Sequence, residues 1–227
     1  MGRVALMDWD NTIRQGWTIR DWTLHLEGCG LVPAETLRDV DEVIDNYAAK
    51  QCTYTEMANT VLRALASGLK GQSAAVVADQ APSFIKGDRG NFYPFAAEAL
   101  RELRARGLSL VVVSGAPEEV LDAAAEEYGF AKVRGSVLDV SEGRYVGTVK
   151  KNRAVVEGKQ AALGSLLGEQ VAALAIGDSE ADLPLLERAR LKIVVGDREL
   201  AARVPGSLFI EPLDPDISPL LNAVDTA

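Results

Sequence analysis

Asp8 and Asp10 follow the apolar run Val4-Ala5-Leu6-Met7, inside the pentapeptide Asp8-Trp9-Asp10-Asn11-Thr12. A hydrophobic stretch that stops abruptly in acid reads as a buried parallel strand. Ligands in open α/β sheets bind just beyond the carboxyl ends of such strands. Two carboxylates this close repel each other, so sheltering them from water is costly unless a cation lies between them or one keeps a proton. The pair suits a hard divalent metal and an attacking carboxylate, although an acidic turn or helix cap would carry the same residues. The pattern recurs where Ala173-Leu174-Ala175-Ile176 ends in Gly177-Asp178-Ser179-Glu180-Ala181-Asp182. A third apolar run, Leu110-Val111-Val112-Val113, ends in Ser114-Gly115, and Lys159 follows Glu157-Gly158 at the head of an amphipathic segment. The single histidine, His25, follows Trp22 and Leu24 in a predicted helix and reads as a packing residue. With that histidine taken up in packing, Ser-His-Asp hydrolysis and Cys-His chemistry lack their base, and multi-histidine zinc sites are excluded. What remains is the chemistry of carboxylates, a lysine, hydroxyls and a metal.

These groups need strands and helix starts to position them. From Pro94 onward helical and extended patterns alternate. Ala99, Leu100 and Leu103 precede a strand predicted at 109–113, and Val120, Leu121, Ala124 and Tyr128 form another helical stripe. Ser136 to Val149, with Glu142-Gly143 in the middle, predicts a β-hairpin. A helix from Lys159 follows, then strands at 171–176, 191–195 and 208–210, with a last helix after Pro212. This alternation predicts an α/β fold with a doubly wound parallel sheet. Between the first strand and Pro94 the periodicity is helical instead. Leu37, Val40, Ile44 and Tyr47 make one stripe; Met57, Val61, Leu62 and Leu65 make a second, opened by a capping-box pattern from Thr53 to Glu56. Pro33 and Pro82 fall at helix edges. The expected division is a core of residues 1–13 and 93–227 with an inserted helical unit of residues 14–92.

Composition narrows the partners. Hydrophobic residues make up 48% and charged residues 25% of the 227, as in an ordinary folded domain. A formal net charge of −9 opposes attraction to nucleic acid or an anionic membrane. A small phosphorylated substrate is still compatible, because one metal and one lysine can reverse the local potential. Cys29 and Cys52 are too few for a disulfide scaffold and lack CxxC spacing, so a reducing cytoplasm is expected. No signal peptide or membrane span is expected, and the chain is read as a monomer or homodimer.

Taken together and in order, these motifs resemble those of the haloacid dehalogenase-like phosphatases, in the branch that includes the phosphoserine phosphatases. Asp8-Trp9-Asp10-Asn11-Thr12 resembles the first motif, Ser114-Gly115 the second, Lys159 the third and Gly177-Asp178 to Asp182 the fourth. The resemblance implies a Rossmann-like core with a helical cap over the active site. It implies Asp8 as nucleophile and Asp10 as general acid and base. A Mg²⁺ ion would be held by Asp8, Asp178 and the backbone carbonyl of Asp10, as suits all-oxygen ligation. Ser114 and the Gly115 amide would bind phosphoryl oxygens, and Lys159 would neutralise the transferring group. Thr12 and Asp182 would support the site.

The chain also departs from that branch. Phosphoserine phosphatases carry a Glu nine residues after the nucleophile, and here Trp17 stands there. They also use an Arg on a cap helix, where Asn59 aligns, with Arg63 one turn later. Trp17 is therefore expected to offer an aromatic wall to a less polar leaving group. Arg14 and Arg20 flank it and are candidates to meet an anionic substrate. The expected activity is Mg²⁺-dependent hydrolysis of a small phosphomonoester other than phosphoserine, by way of an aspartyl-phosphate. A phosphotransferase or a catalytically silent binding protein are the alternatives.

Overall fold

The computed structural model describes residues 3–226. Residues 1, 2 and 227, which the expected core segments include, lie outside the described residues. β1 (Arg3–Met7) becomes progressively more buried toward its carboxyl end and is flanked by two parallel strands, β2 (Leu108–Pro117) and β5 (Ala172–Gly177). β3 (Lys132–Ser141), β4 (Arg144–Lys151), β6 (Ala189–Val195) and β7 (Ser207–Ile210) complete a seven-stranded sheet in the order β4-β3-β2-β1-β5-β6-β7. All neighbours are parallel except β3 and β4, the hairpin expected around Glu142-Gly143. The chain runs outward from β1 to β2 on one side and returns to β5 on the other, so β1 sits at the point where strand order reverses. That is where a doubly wound sheet opens a crevice. Register aligns Met7 with both Val112 and Ile176, which brings the ends of β1, β2 and β5 together.

Alternation along the strands gives the sheet two apolar faces. Ala5, Met7, Val112 and Ile176 pack on one side with α6 (Ala96–Ala105), α7 (Glu118–Tyr128) and α11 (Ser218–Thr226). Leu6, Val111, Val113 and Ala175 pack on the other with α8 (Val156–Leu167), α9 (Leu183–Glu187) and α10 (Arg198–Arg203). Two elements run further than the sequence pattern suggested. β2 continues to Pro117, because the extended chain past Ser114 still pairs with β3 at Ser136. α8 begins at Val156, so Lys159 lies inside its first turns, where Gly158 packs against the Asn152 carbonyl in a space that has no room for a side chain.

Between β1 and β2 the chain is helical: α1 (Thr18–Gly28), α2 (Ala34–Ala48), α3 (Tyr54–Gly68), α4 (Ala74–Ala78) and α5 (Ala81–Gly87), followed by a 3₁₀ turn at Asp88–Asn91. Pro33 caps α2 and Pro82 lies in the first turn of α5, positions where a missing N–H costs nothing. The Thr53–Glu56 capping box is formed in both directions. Glu56 N–H donates to Thr53 Oγ1 at 3.2 Å, and Thr53 N–H donates to Glu56 Oε2 at 2.8 Å. It fixes the start of α3, the helix that faces the crevice.

Candidate active site

Asp8 leaves β1 with its amide still donating to Ile176 O (3.0 Å) and its side chain buried. Lys159 reaches it from α8. The ammonium lies 3.0 Å from Asp8 Oδ1 and donates to Asp182 Oδ1 at 2.5 Å. Apart from this ion pair, Asp8 Oδ1 is a buried oxygen with no polar partner among the described residues. Asp178 lies at the end of β5, and Thr12 donates to its Oδ1 at 2.8 Å. Asp8, Asp178 and Asp182 each offer a carboxylate oxygen within 4.8 Å of the others.

Asp182 differs from the other two because its lone pairs are used. Oδ2 accepts from the amides of Asp178 and Ser179 (3.1 Å each) and from Ser179 Oγ (3.0 Å), while Oδ1 takes Lys159. It therefore anchors the Asp178 loop and the lysine. Gly177 is required for this turn, since a Cβ there would collide with the Asp182 side chain. Gly115 has a similar constraint, because a Cβ would lie 2.6 Å from that of Ala154.

The electrostatics follow from burial. Desolvation raises Asp8 to about 6, against the lowering effect of Lys159 and with Asp182 adding to the rise. Asp178 is pushed well up, first by desolvation and then by the two neighbouring carboxylates. Burial acts to lower Lys159, but Asp182 and Asp8 outweigh it and hold the ammonium charged. Asp10 is a separate case. Its carboxylate is turned away from the acidic cluster and accepts from Thr18 N–H at 3.0 Å and from Thr18 Oγ1, at the first residue of α1. Desolvation raises Asp10 to about 7, with Arg14 as the largest opposing influence.

One cleft gathers Asp8, Asp10, Ser114, Gly115, Asp178 and Ser179 at its floor. Trp17 and Ile19 form part of its outer wall. The remainder comes from α3, through Tyr54, Met57, Ala58, Val61 and Leu62. Trp17 lines the cleft. Arg14 does not. It is fully buried, with Nε and Nη2 donating to Asp88 (2.6 and 2.8 Å) and Nη2 also donating to Asp21 at 2.5 Å. The chain pairs at Asp10 with Arg14 and at Arg14 with Phe92, so this side chain is buried between the segments before α1 and after α5. It cannot meet a substrate. Arg20 is partly exposed and pairs with Asp41 on α2 at 2.8 Å, outside the cleft. Asn59 and Arg63 also miss the cleft, because the wall residues of α3 recur at helical spacing and one residue of offset rotates a side chain by about 100°. Asn59 instead accepts from Asn152 Nδ2 at 2.9 Å, and the exposed Arg63 reaches only Thr60.

Sequence reasoning missed Thr18 and Tyr54. Thr18 had a readable signal, a hydroxyl at a helix start eight residues after Asp10. Tyr54 sits inside the predicted capping box without advertising its direction. His25 stacks on Trp22 (5.5 Å between centroids) and packs against Phe84, away from the cleft.

A family model for haloacid dehalogenase-like hydrolases matches residues 5–187, spanning every group just described. The chain belongs to this family. Among curated proteins, this family member is 29% identical over 198 residues to a phosphoserine phosphatase of Streptomyces coelicolor. The match covers 84% of the chain but only 43% of that relative's length. A Bordetella pertussis Tohama I protein of unknown function superposes with a TM-score of 0.73 at 24% identity, covering 92% of this chain and 98% of that one. A phospho-aspartyl intermediate analogue of a phosphoserine phosphatase superposes with a TM-score of 0.62 at 21% identity, covering 97% of each chain. At these identities the structural likenesses bear on the fold. Among the described residues no helix is long and apolar enough to cross a membrane.

Proposed function

We propose that this hydrolase is a Mg²⁺-dependent phosphomonoesterase that acts on a small phosphorylated metabolite through an aspartyl-phosphate at Asp8, with phosphoserine a poor substrate. The observation that carries the reading is the division of labour between the two aspartates. Asp8 lies against a fixed ammonium, whereas Asp10 is held apart by Thr18 and burial pushes its carboxyl up to about 7.

The donor set fits a hard divalent cation. Asp8 Oδ1 is buried with only the Lys159 ammonium beside it, Asp178 is strained by neighbouring charge, and every available ligand is oxygen. Asp8, Asp178 and the Asp10 carbonyl would hold Mg²⁺, which when bound offsets the carboxylate repulsion and the charge of the phosphoryl group.

This chain's own residues supply the rest. An Asp8 carboxylate oxygen attacks phosphorus, and the bond from phosphorus to the ester oxygen breaks. Asp10 gives its proton to the departing alkoxide, then takes one from the water that attacks phosphorus in the second step, releasing phosphate and restoring Asp8. Ser114 and the Gly115 amide at the cleft floor orient the phosphoryl oxygens, and Lys159 offsets their charge. Residues 14–92 act as a cap whose wall excludes water from the reaction.

Asp8→Asn should abolish phosphate release without unfolding the protein. Asp10→Asn should slow alkyl phosphates far more than p-nitrophenyl phosphate, whose leaving group needs little acid help. Near wild-type turnover in Asp8→Asn would remove the nucleophile. Phosphate balance in the presence of added alcohols separates hydrolysis from transfer to an acceptor.

A further inference from the structure

The outer wall of the cleft differs chemically from its floor. Trp17, Ile19, Met57, Ala58, Val61 and Leu62 contribute no charge and, the Trp17 indole aside, no polar side-chain atom. Tyr54 adds one hydroxyl, and burial raises its pKa, so it stays neutral. Trp17 and Tyr54 lie 6.0 Å apart between ring centroids, and each packs against Tyr47 behind them at 6.3 and 6.0 Å. The wall is thus a braced aromatic corner continued by aliphatic side chains of α3. The surrounding cations are engaged elsewhere: Arg14 with Asp88 and Asp21, Arg20 with Asp41, and Lys159 with Asp8 and Asp182. Arg63 projects to the exposed side of α3.

Resting on the phosphatase reading above, we infer that the leaving group is an uncharged, largely apolar alcohol, of aromatic-ring or branched-chain size, seated between the Trp17–Tyr54 corner and the Met57–Val61 face of α3. A carboxylate on the substrate would meet no free cation among the described residues of this wall. An ammonium would find no carboxylate except those committed to the reaction at the floor. Each charge would be desolvated without a partner, which selects against it. An aryl or branched alkyl group replaces water on a surface that holds water poorly, and the tilted rings offer edge and face contacts to a third ring.

The test compares 2-phenylethyl phosphate and 3-methylbutyl phosphate with phosphoserine and phosphoethanolamine, in Mg²⁺. The apolar esters should lead by about a hundredfold or more in kcat/KM, the factor expected of unpaired buried charge. Trp17→Ala should narrow the ratio of 2-phenylethyl phosphate to methyl phosphate by about tenfold. Binding is measured alongside, with 3-phenylpropylphosphonate against 2-amino-4-phosphonobutyrate by calorimetry on the unmodified protein. Tighter binding of the phenyl compound, with no turnover of any ester, would sink the phosphatase reading and leave this one standing. Equal or tighter binding of the amino acid phosphonate, or phosphoserine leading the ester panel, would overturn the apolar assignment.

Discussion

Thr18 holds both carboxylate oxygens of Asp10. Its amide donates to Oδ2 and its hydroxyl to Oδ1, while the hydroxyl itself accepts from the Trp9 indole N–H at 3.0 Å. Trp9 is the residue between the two aspartates and is fully buried. Its ring, braced by Phe92 and Phe130, fixes the hydroxyl that fixes the acid. Because Thr18 is also the first residue of α1, the orientation of the proposed general acid depends on where the helical insert begins.

Thr18→Val keeps the shape and removes the hydroxyl. It should lower kcat for alkyl phosphates about 10- to 100-fold, within the range general acid catalysis contributes. The loss for p-nitrophenyl phosphate should be much smaller, and Thr18→Ser should restore most of the rate. An equal loss for both leaving groups, measured by steady-state kinetics, would mean that Thr18 acts only on packing.

The Arg14 guanidinium is sealed between carboxylates from both crossings of the chain, Asp21 after the first and Asp88 before the second. Removing it strands Asp88, which is itself buried. Breaking such a pair costs about 3–5 kcal/mol, so Arg14→Ala should lose that much in urea unfolding. Arg14→Lys should recover little, since an ammonium cannot make the paired Nε and Nη2 contacts with Asp88. An Arg14→Ala protein as stable as the original would show the knot to be dispensable.

Stability in the absence of metal should depend on pH in an unusual direction. Burial lifts Asp8 and Asp10 from the ordinary aspartate value of 3.8 to about 6 and about 7, and Asp178 rises as well. The folded chain therefore binds more protons than the unfolded one between pH ~4 and ~7, and stability falls as pH rises through that window. At 1.36 kcal/mol per pKa unit, the loss is on the order of a few kcal/mol. Thermal unfolding in EDTA should give a higher midpoint at pH 5 than at pH 7.5, with added Mg²⁺ raising the midpoint more at pH 7.5. A midpoint that climbs with pH in EDTA would contradict the buried acidic cluster.

Mg²⁺ should also be needed for turnover. Phosphate release should vanish in excess chelator and return on adding Mg²⁺, because converging carboxylates would otherwise repel the phosphoryl group. Full activity in chelator would remove the metal from the proposal.

Much of the framework is legible along the chain because its causes are local. Apolar runs ending in Asp8, Ser114 and Asp178 mark parallel strands buried on both sides, and the structure sets those three ends together at β1, β2 and β5. Thr53 and Glu56 satisfy each other's backbone within one helical turn, so the start of α3 could be read directly. Gly143 marked the hairpin, since the tight turn imposes a positive φ there (75°) that glycine adopts at no steric cost; Glu142 takes the other positive φ (50°).

The surroundings of the site required the tertiary structure. Arg14 finds Asp88 across 74 residues of sequence, and no local pattern announces that a guanidinium flanking the motif will be buried rather than offered to a ligand. Asn59 and Arg63 were placed in the cleft by alignment and turned out of it by helix phase, while Tyr54 and Val61 were turned in. Side-chain types and their spacing set which chemistry the strand ends can support. Which residues face it depends on the rotation of α3 and on where α1 begins, and both are set by packing between segments far apart in sequence.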